Sequence, residues 1–323
     1  DESESRGLGD VYKRQLSLAY VLAFQFFPAN RDTALYVNLV LFLLSLLFIY
    51  YATLLRWKTP WLSLTTMLFL GTMPKLLFQS RSASTEVMHI FLMTLLLVLI
   101  QVLPRSKFRW KQWLLIMPIM GVLSQTRQET LFCFLAISLY YLPVFSKKQL
   151  AMPAWVLGLL LSCLPMVAVI AGYKGYNFQG GEHDTHSAYN LYLNFWENIK
   201  VLLNWEPGYQ GLLKYPYSTS VTVIILLGIL SVLWDSLHGK RVKEALFGLF
   251  FFIQPIIIMI NVSGNFNIDI NQRYVLVILP FFAICAALFI QRMANAFFAK
   301  KPSIAYAIAS GGLILLLMYH QDS

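Results

Sequence analysis

The sequence alternates long apolar blocks with short polar links. Ten blocks read as membrane-spanning helices: Leu35–Leu55, Trp61–Phe78, Val87–Leu103, Trp113–Leu123, Thr130–Phe145, Pro153–Gly172, Ser220–Trp234, Leu246–Ile260, Val275–Ile290 and Ile304–Met318. A helix needs about 20 apolar residues to cross the hydrocarbon core of a bilayer. Trp113–Leu123 is short and reads as a broken or tilted helix. An open sheet would leave backbone groups unsatisfied in lipid, so helix is the form expected throughout. Leu16–Pro28 is too short to span and stops at Pro28-Ala29-Asn30, the pattern of an interfacial helix. The pattern predicts an all-α, polytopic transmembrane helical bundle of about ten spans, with one longer outer-face loop at about residues 173–218.

The first fifteen residues break the pattern. Asp1–Gln15 is polar, shows no apolar period and stops abruptly at Leu16. It reads as a translated adaptor scar and is excluded from fold reasoning. The chain has no initiator Met, so its native beginning is expected upstream. The membrane domain then covers residues 16–319, with a short tail at 320–323.

Composition agrees with the pattern. Hydrophobic residues make up 58% of the chain, charged residues 12%, and the mean hydropathy is +0.62. That excludes an ordinary soluble domain. A net charge of +10 would point to nucleic acid in a soluble protein. Here the charges sort by side, and no nucleic-acid partner is expected. Alternate links carry Arg56, Lys58, Arg105, Lys107, Arg109, Lys111, Lys147, Lys148, Lys240, Arg241, Lys243, Arg292, Lys300 and Lys301. The positive-inside rule makes those links cytoplasmic. Asp32, Glu86, Glu129, Glu182, Asp184, Glu197, Glu206 and Asp269 fall on the opposite side. Chemistry is therefore expected on the outer face.

Three short outer links bring functional groups to one level. The central one is Ser124-Gln125-Thr126-Arg127-Gln128-Glu129, a turn between two apolar blocks. Ionisable groups at mid-bilayer cost roughly 2.5–3.5 kcal/mol on insertion scales. Arg127 can fork two donors onto a phosphate, and Glu129 can orient it or bind a sugar. An interfacial turn with snorkelling charges has the same composition. The second link runs from Gln79 to Glu86. There Arg81 can bind phosphate, and Glu86 can face a cation or a sugar hydroxyl. Helix capping by the Ser and Thr residues, with Glu86 on the N-terminal dipole, accounts for the same residues. The third link is Asn271-Gln272-Arg273-Tyr274, just before Val275–Ile290. Arg and Tyr are also common interfacial anchors.

Other groups point to less. His183 and His186 have metal-ligand spacing if helical, but Gly180-Gly181 argues for a loop and no third ligand is set by spacing. Tyr189, Tyr192, Phe195, Trp196 and Trp205 suit the headgroup layer or a sugar-stacking surface. Cys133, Cys163 and Cys285 sit inside apolar blocks and read as small buried or lipid-facing residues. Asn261-Val262-Ser263 matches a glycosylation acceptor, which says little in a bacterial protein. No phosphate-cradling Gly loop or nucleophile elbow is present, which argues against ATP-driven transport.

The chain resembles a family. Arg273-Tyr274-Val275-Leu276-Val277-Ile278-Leu279-Pro280-Phe281-Phe282 looks like the late "RY-x-LP-x-x-P" span of the GT-C membrane glycosyltransferases, in the protein-mannosyltransferase-like branch. Val277 or Ile278 stands where a first Pro is common. Leu123–Leu131 is similar to that family's "L-T-R/K" turn. Gln79–Glu86 is similar to its second outer loop, with Glu86 in place of an Asp. The resemblance implies sugar transfer from a polyprenyl-phosphate donor to a glycan, lipid or protein acceptor. It places that activity at the outer face of a bacterial cytoplasmic membrane. It implies an inverting displacement with a carboxylate base in the first outer loop. That loop and the span before it have no counterpart here. Asp32 sits later than the family's Asp-Glu motif and is not assigned the role. The chain as given is therefore expected to lack transfer activity, with no catalytic residue assigned. Arg127, Glu129, Arg81, Glu86, Arg273 and Tyr274 remain as donor phosphate and sugar-binding candidates. No cofactor is expected, and a divalent metal is left open.

Two other functions stay open. Thr185-His186-Ser187-Ala188-Tyr189-Asn190 is faintly similar to the loop histidine region of O-antigen ligases and polymerases. A non-enzymatic transporter of lipid-linked glycans is the other. It would need charges along a central path, whereas here they sit at span ends and leave mid-span positions apolar.

Overall fold

The computed structural model describes residues 19–73, 76–77, 80, 85–102, 116–126, 219–238, 269–297 and 301–319. Among the described residues all regular structure is helical and there is no strand. The helices are α1 (residues 19–26), α2 (Arg31–Trp57), α3 (Pro60–Gly71), α4 (Thr85–Val102), α5 (Ile116–Thr126), α6 (Thr219–His238), α7 (Asp269–Phe297) and α8 (Pro302–Tyr319). Two helical stretches, Arg31–Trp57 and Leu279–Phe297, are long and apolar enough to cross a membrane by length and composition. The expected blocks Thr130–Phe145, Pro153–Gly172 and Leu246–Ile260 lie outside the described residues. So do the loop at 173–218, the segments 1–15 and 320–323, and the residues Cys133, Cys163, His183, His186 and Asn261.

Capping explains why α2 begins at Arg31, four residues before the apolar block. Asn30 is its N-cap, and the Asn30 Oδ1 accepts the Thr33 N–H at 2.9 Å. Asp32 in the first turn suits the positive end of the helix dipole. The Thr33 hydroxyl donates to the Pro28 carbonyl at 2.7 Å, fixing the approach from α1. At the far end Lys58 closes the helix in the left-handed region, at φ 57° and ψ 25°. Its N–H donates to the Leu54 carbonyl at 2.8 Å. Glycine is the usual residue for such a cap, and an L side chain there costs about 1–2 kcal/mol. Pro60 then starts α3, where its missing N–H costs no helical bond.

The bundle core is one cluster drawn from α2 through α7. Ile49 of α2, Leu62, Phe69 and Leu70 of α3, and Ile90, Met93, Leu96 and Leu97 of α4 are fully buried within it. The α2–α4 and α6–α7 pairs pack most extensively. Along α2 the buried positions Asn38, Leu41, Ser45, Ile49 and Ala52 recur every three or four residues. That spacing is one helical face. The opposite face, Tyr36, Val40, Leu43, Leu47 and Tyr51, is exposed and apolar.

Contacts between helices set their direction. The Gln101 Nε2 near the end of α4 donates to the Ala52 carbonyl near the end of α2, at 2.8 Å. Phe91 and Phe48 meet further back along both helices, with ring centroids 5.6 Å apart. α2 and α4 therefore run parallel, and α3 returns between them. The Gln291 Nε2 of α7 donates to the Thr59 hydroxyl at the α2–α3 corner, at 3.3 Å. α7 thus also ends where α2 ends. Tyr306 of α8 donates to the Gln291 carbonyl at 3.4 Å and to the Asn295 side chain. The Thr65 and Ser310 hydroxyls join α3 to α8 at 2.7 Å.

Several expected boundaries move. The block Trp61–Phe78 does not run as one helix: α3 ends at Gly71, where Thr72 caps it through its N–H to the Leu68 carbonyl, and residues 76, 77 and 80 are helical again. The block Trp113–Leu123 continues as helix to Thr126, so Ser124, Gln125 and Thr126 belong to α5 rather than to a turn. α7 begins at Asp269, so Asn271-Gln272-Arg273-Tyr274 is helix, not a link before one. In both cases polar residues extend a helix already started by its apolar stretch. Pro280 lies inside α7 and is buried. It leaves a carbonyl one turn back without its usual donor.

Candidate functional site

The starts of α2, α4 and α7 lie at one end of the bundle, because their later residues meet at the other. At about 1.5 Å per residue, Glu86 stands roughly 22 Å along α4 from Gln101. Gln291 sits at Thr59, seven residues and about 10 Å past Ala52, so that level falls roughly 33 Å back along α7, in its first turn. Arg273 and Tyr274 follow in the next turn, about 6 Å deeper. α2 rises higher, so Asp32 stands beyond Glu86 and is exposed.

Glu86 is the best-placed of the expected site residues. It lies in the first turn of α4, yet is only 7% exposed. A carboxylate there suits the helix dipole, but burying it costs several kcal/mol unless neighbours compensate. His89 stands one turn further on and is 1% exposed. Residues three apart share a helix face, so the two ionisable side chains lie one above the other. Both have interaction partners. His89 is the residue that sequence reasoning missed. Its signal was present: a polar residue three positions after Glu86, inside an otherwise apolar block.

Asn38 is a second missed residue. It is fully buried on the face of α2 that packs toward the core. The Tyr20 hydroxyl donates to its Oδ1 at 3.3 Å, which ties α1 to α2. Burial pushes the Tyr20 phenol up to about 12, so it stays a neutral donor at ordinary pH. Tyr20 also stacks on Phe24, with centroids 6.1 Å apart. Val21, Leu22, Phe26 and Phe27 of the same segment are exposed apolar groups.

In the Gln79–Glu86 link, the buried Ser80 hydroxyl donates backwards to the Leu77 carbonyl at 2.7 Å. It is thus engaged behind α4 rather than at its start. Arg81, Arg127 and Glu129 lie outside the described residues. Arg127 directly follows Thr126, the last residue of α5, and α5 packs against α4. The structure therefore brings Glu86 and the Arg273–Tyr274 turn to one end.

The mid-span positions are not wholly apolar, which corrects the expectation from sequence. Ser45, Thr53, Thr66 and Thr94 are buried there. Each hydroxyl donates to a carbonyl four residues back in its own helix, at 2.7 to 2.9 Å. Their hydrogen bonds are spent locally. Gln101 is the exception. Its Nε2 donates to the Ala52 and Leu97 carbonyls, and its buried Oε1 has no partner among the described residues. Two carbonyls at the Nε2 fix which way the amide points.

Among the described residues no group of three or more His, Cys, Asp or Glu side chains is placed to hold a metal. No family model matches the chain, and neither a curated protein nor a solved structure matches it. The reading of the site therefore rests on its own chemistry and on the sequence resemblance.

Proposed function

We propose that this chain is a multi-pass membrane protein of about ten spans that binds a polyprenyl-phosphate-linked sugar at one end of its bundle, as part of a glycosyltransferase of the GT-C kind. The observation that carries the reading is the buried Glu86–His89 pair at the end where α7 begins with Arg273 and Tyr274. A carboxylate and an imidazole at that depth suit sugar hydroxyls, which both donate and accept. Arg273 in the early turns of α7 supplies a guanidinium, a group that suits the donor phosphate because it can grip it with two parallel hydrogen bonds. Arg127, one residue beyond α5 in sequence, is the proposed phosphate ligand, with Arg81 as its proposed helper and Glu129 as its proposed orienting partner.

The outer face of a bacterial cytoplasmic membrane is the location this reading requires. The acceptor is a glycan, lipid or protein presented there. The self-satisfied hydroxyls along α2, α3 and α4 favour a site at one end over a transporter's through-path, because they offer no free groups along the spans.

The test is binding of a photo-crosslinkable polyprenyl-phosphate sugar to the whole chain in lipid nanodiscs. Saturable labelling is expected. Arg127→Ala should weaken it on the order of 30- to 1,000-fold, equivalent to about 2–4 kcal/mol. Arg127→Lys should recover part of that loss, since an ammonium keeps the charge and loses the fork. Glu86→Gln should cost less, and Lys214→Ala nothing. Labelling that does not saturate, or that ignores Arg127→Ala, would refute the assignment.

A further inference from the structure

The opposite end of the bundle carries a feature that the sugar site does not use. Lys58 holds a left-handed backbone where glycine would be relaxed, and it is the non-glycine residue with positive φ among those described. Its side chain is exposed. An outlier of this kind calls for a reason. The ordinary reason is that a cation suits the negative end of the α2 dipole. The surroundings supply a more specific one.

Lys58 directly follows α2, about two turns beyond Tyr51 and three beyond Leu47 of the exposed apolar stripe on that helix. The helix that carries the stripe therefore ends on a cation. The Thr59–Gln291 hydrogen bond brings the end of α7 against this corner, and with it the half-buried Arg292. Tyr306 anchors α8 to the same stretch of α7, which leaves the exposed Lys301 at the same end. An apolar track that ends among cations has the polarity of one amphiphile.

From this arrangement we infer that the α2–α3 corner is a binding site for an anionic phospholipid. The acyl chain lies along Leu47 and Tyr51, and the phosphate sits among Lys58, Arg292 and Lys301. This goes beyond the proposed sugar site, which lies at the other end, and rests only on the chain being embedded in a bilayer. Basic pockets between spans bind anionic headgroups in this way. The stripe distinguishes a lipid from a free phosphate, because a soluble anion gains nothing from apolar surface. Lys58 gives the inference its tool: Lys58→Gly removes the charge and relaxes the backbone, so it cannot weaken binding by unfolding the corner.

The experiment measures association of tail-spin-labelled phosphatidylglycerol and phosphatidylcholine with the whole chain in nanodiscs. Each cation near an anionic lipid is worth roughly fivefold. With three cations the intact chain should prefer phosphatidylglycerol by on the order of 100-fold. Lys58→Gly and Lys301→Gln should each reduce that preference by roughly fivefold, and the double variant should keep only the roughly fivefold preference that Arg292 supplies. Excess glycerol phosphate should not displace the lipid. If Lys58→Gly raises thermal stability and leaves the preference intact, Lys58 is only a helix cap and the inference fails. Displacement by glycerol phosphate would equally overturn it, in favour of a soluble anion.

Discussion

Gly228 of α6 lies so close to the backbone of α7 that a Cβ added there would stand 2.1 Å from the Cys285 carbonyl oxygen. The next nearest atoms, the Cys285 carbonyl carbon and the Ala286 nitrogen, are also backbone. Ala283, Ala286 and Ala287 keep the facing side of α7 equally low. Small residues let two apolar helices touch along their backbones, which brings many atoms into dispersion contact. Nothing flexible can yield to an added methyl. Gly228→Ala is therefore expected to separate α6 from α7, at a cost of about 3 kcal/mol, the upper part of the range for overpacking. Thermal unfolding in a mild detergent reads that loss, and faster reaction of Cys285 with a small thiol reagent should accompany it. Unchanged stability would mean the two helices do not meet at Gly228.

The parallel course of α2, α4 and α7 makes a topological prediction. Asp32 and Lys58 stand at opposite ends of α2, and Lys301 shares the end of Lys58. In a background lacking the native cysteines, Asp32→Cys should react with an impermeant maleimide in intact cells. Lys58→Cys and Lys301→Cys should react only after permeabilisation. The reverse pattern would move the Glu86–His89 end to the cytoplasm and remove the outer-face reading.

Gln101 supports a third prediction, on stability. Its Nε2 is shared between two carbonyls, while its Oε1 is buried with no partner among the described residues. Gln101→Leu removes two weak gains together with one orphaned acceptor, so it should change stability by less than about 1 kcal/mol. Gln101→Glu turns a carboxylate toward two carbonyls in a closed site and should destabilise by about 3–5 kcal/mol. Chemical denaturation of the two variants in detergent separates these outcomes. Equal effects would show that the amide is not in this environment.

The described helices were legible because their apolar stretches exceed anything a loop tolerates. Their ends were less so. Asn30 extends α2 by a cap that only the local fold activates, and Asp269 to Tyr274 join α7 although their composition is that of a link. Glu86 was legible as an acid at a helix start. Its burial was not, because that depends on α2 and its other neighbours, far away in sequence. His89 and Asn38 were hidden for the same reason. A single polar residue in an apolar block has no local signature that separates a lipid-facing accident from a packed functional group. The small-residue contact at Gly228 was equally silent, since its meaning lies in a helix some sixty positions later.

The hydroxyls of Ser45, Thr53, Thr66 and Thr94 bear on how such a protein is made. Each is satisfied by a carbonyl of its own helix, so none of these hydroxyls demands a neighbouring helix. The Thr65–Ser310, Thr59–Gln291 and Gln101–Ala52 bonds form only once helices have met. This second set of bonds adds stability only once α2, α3, α4, α7 and α8 have found these neighbours.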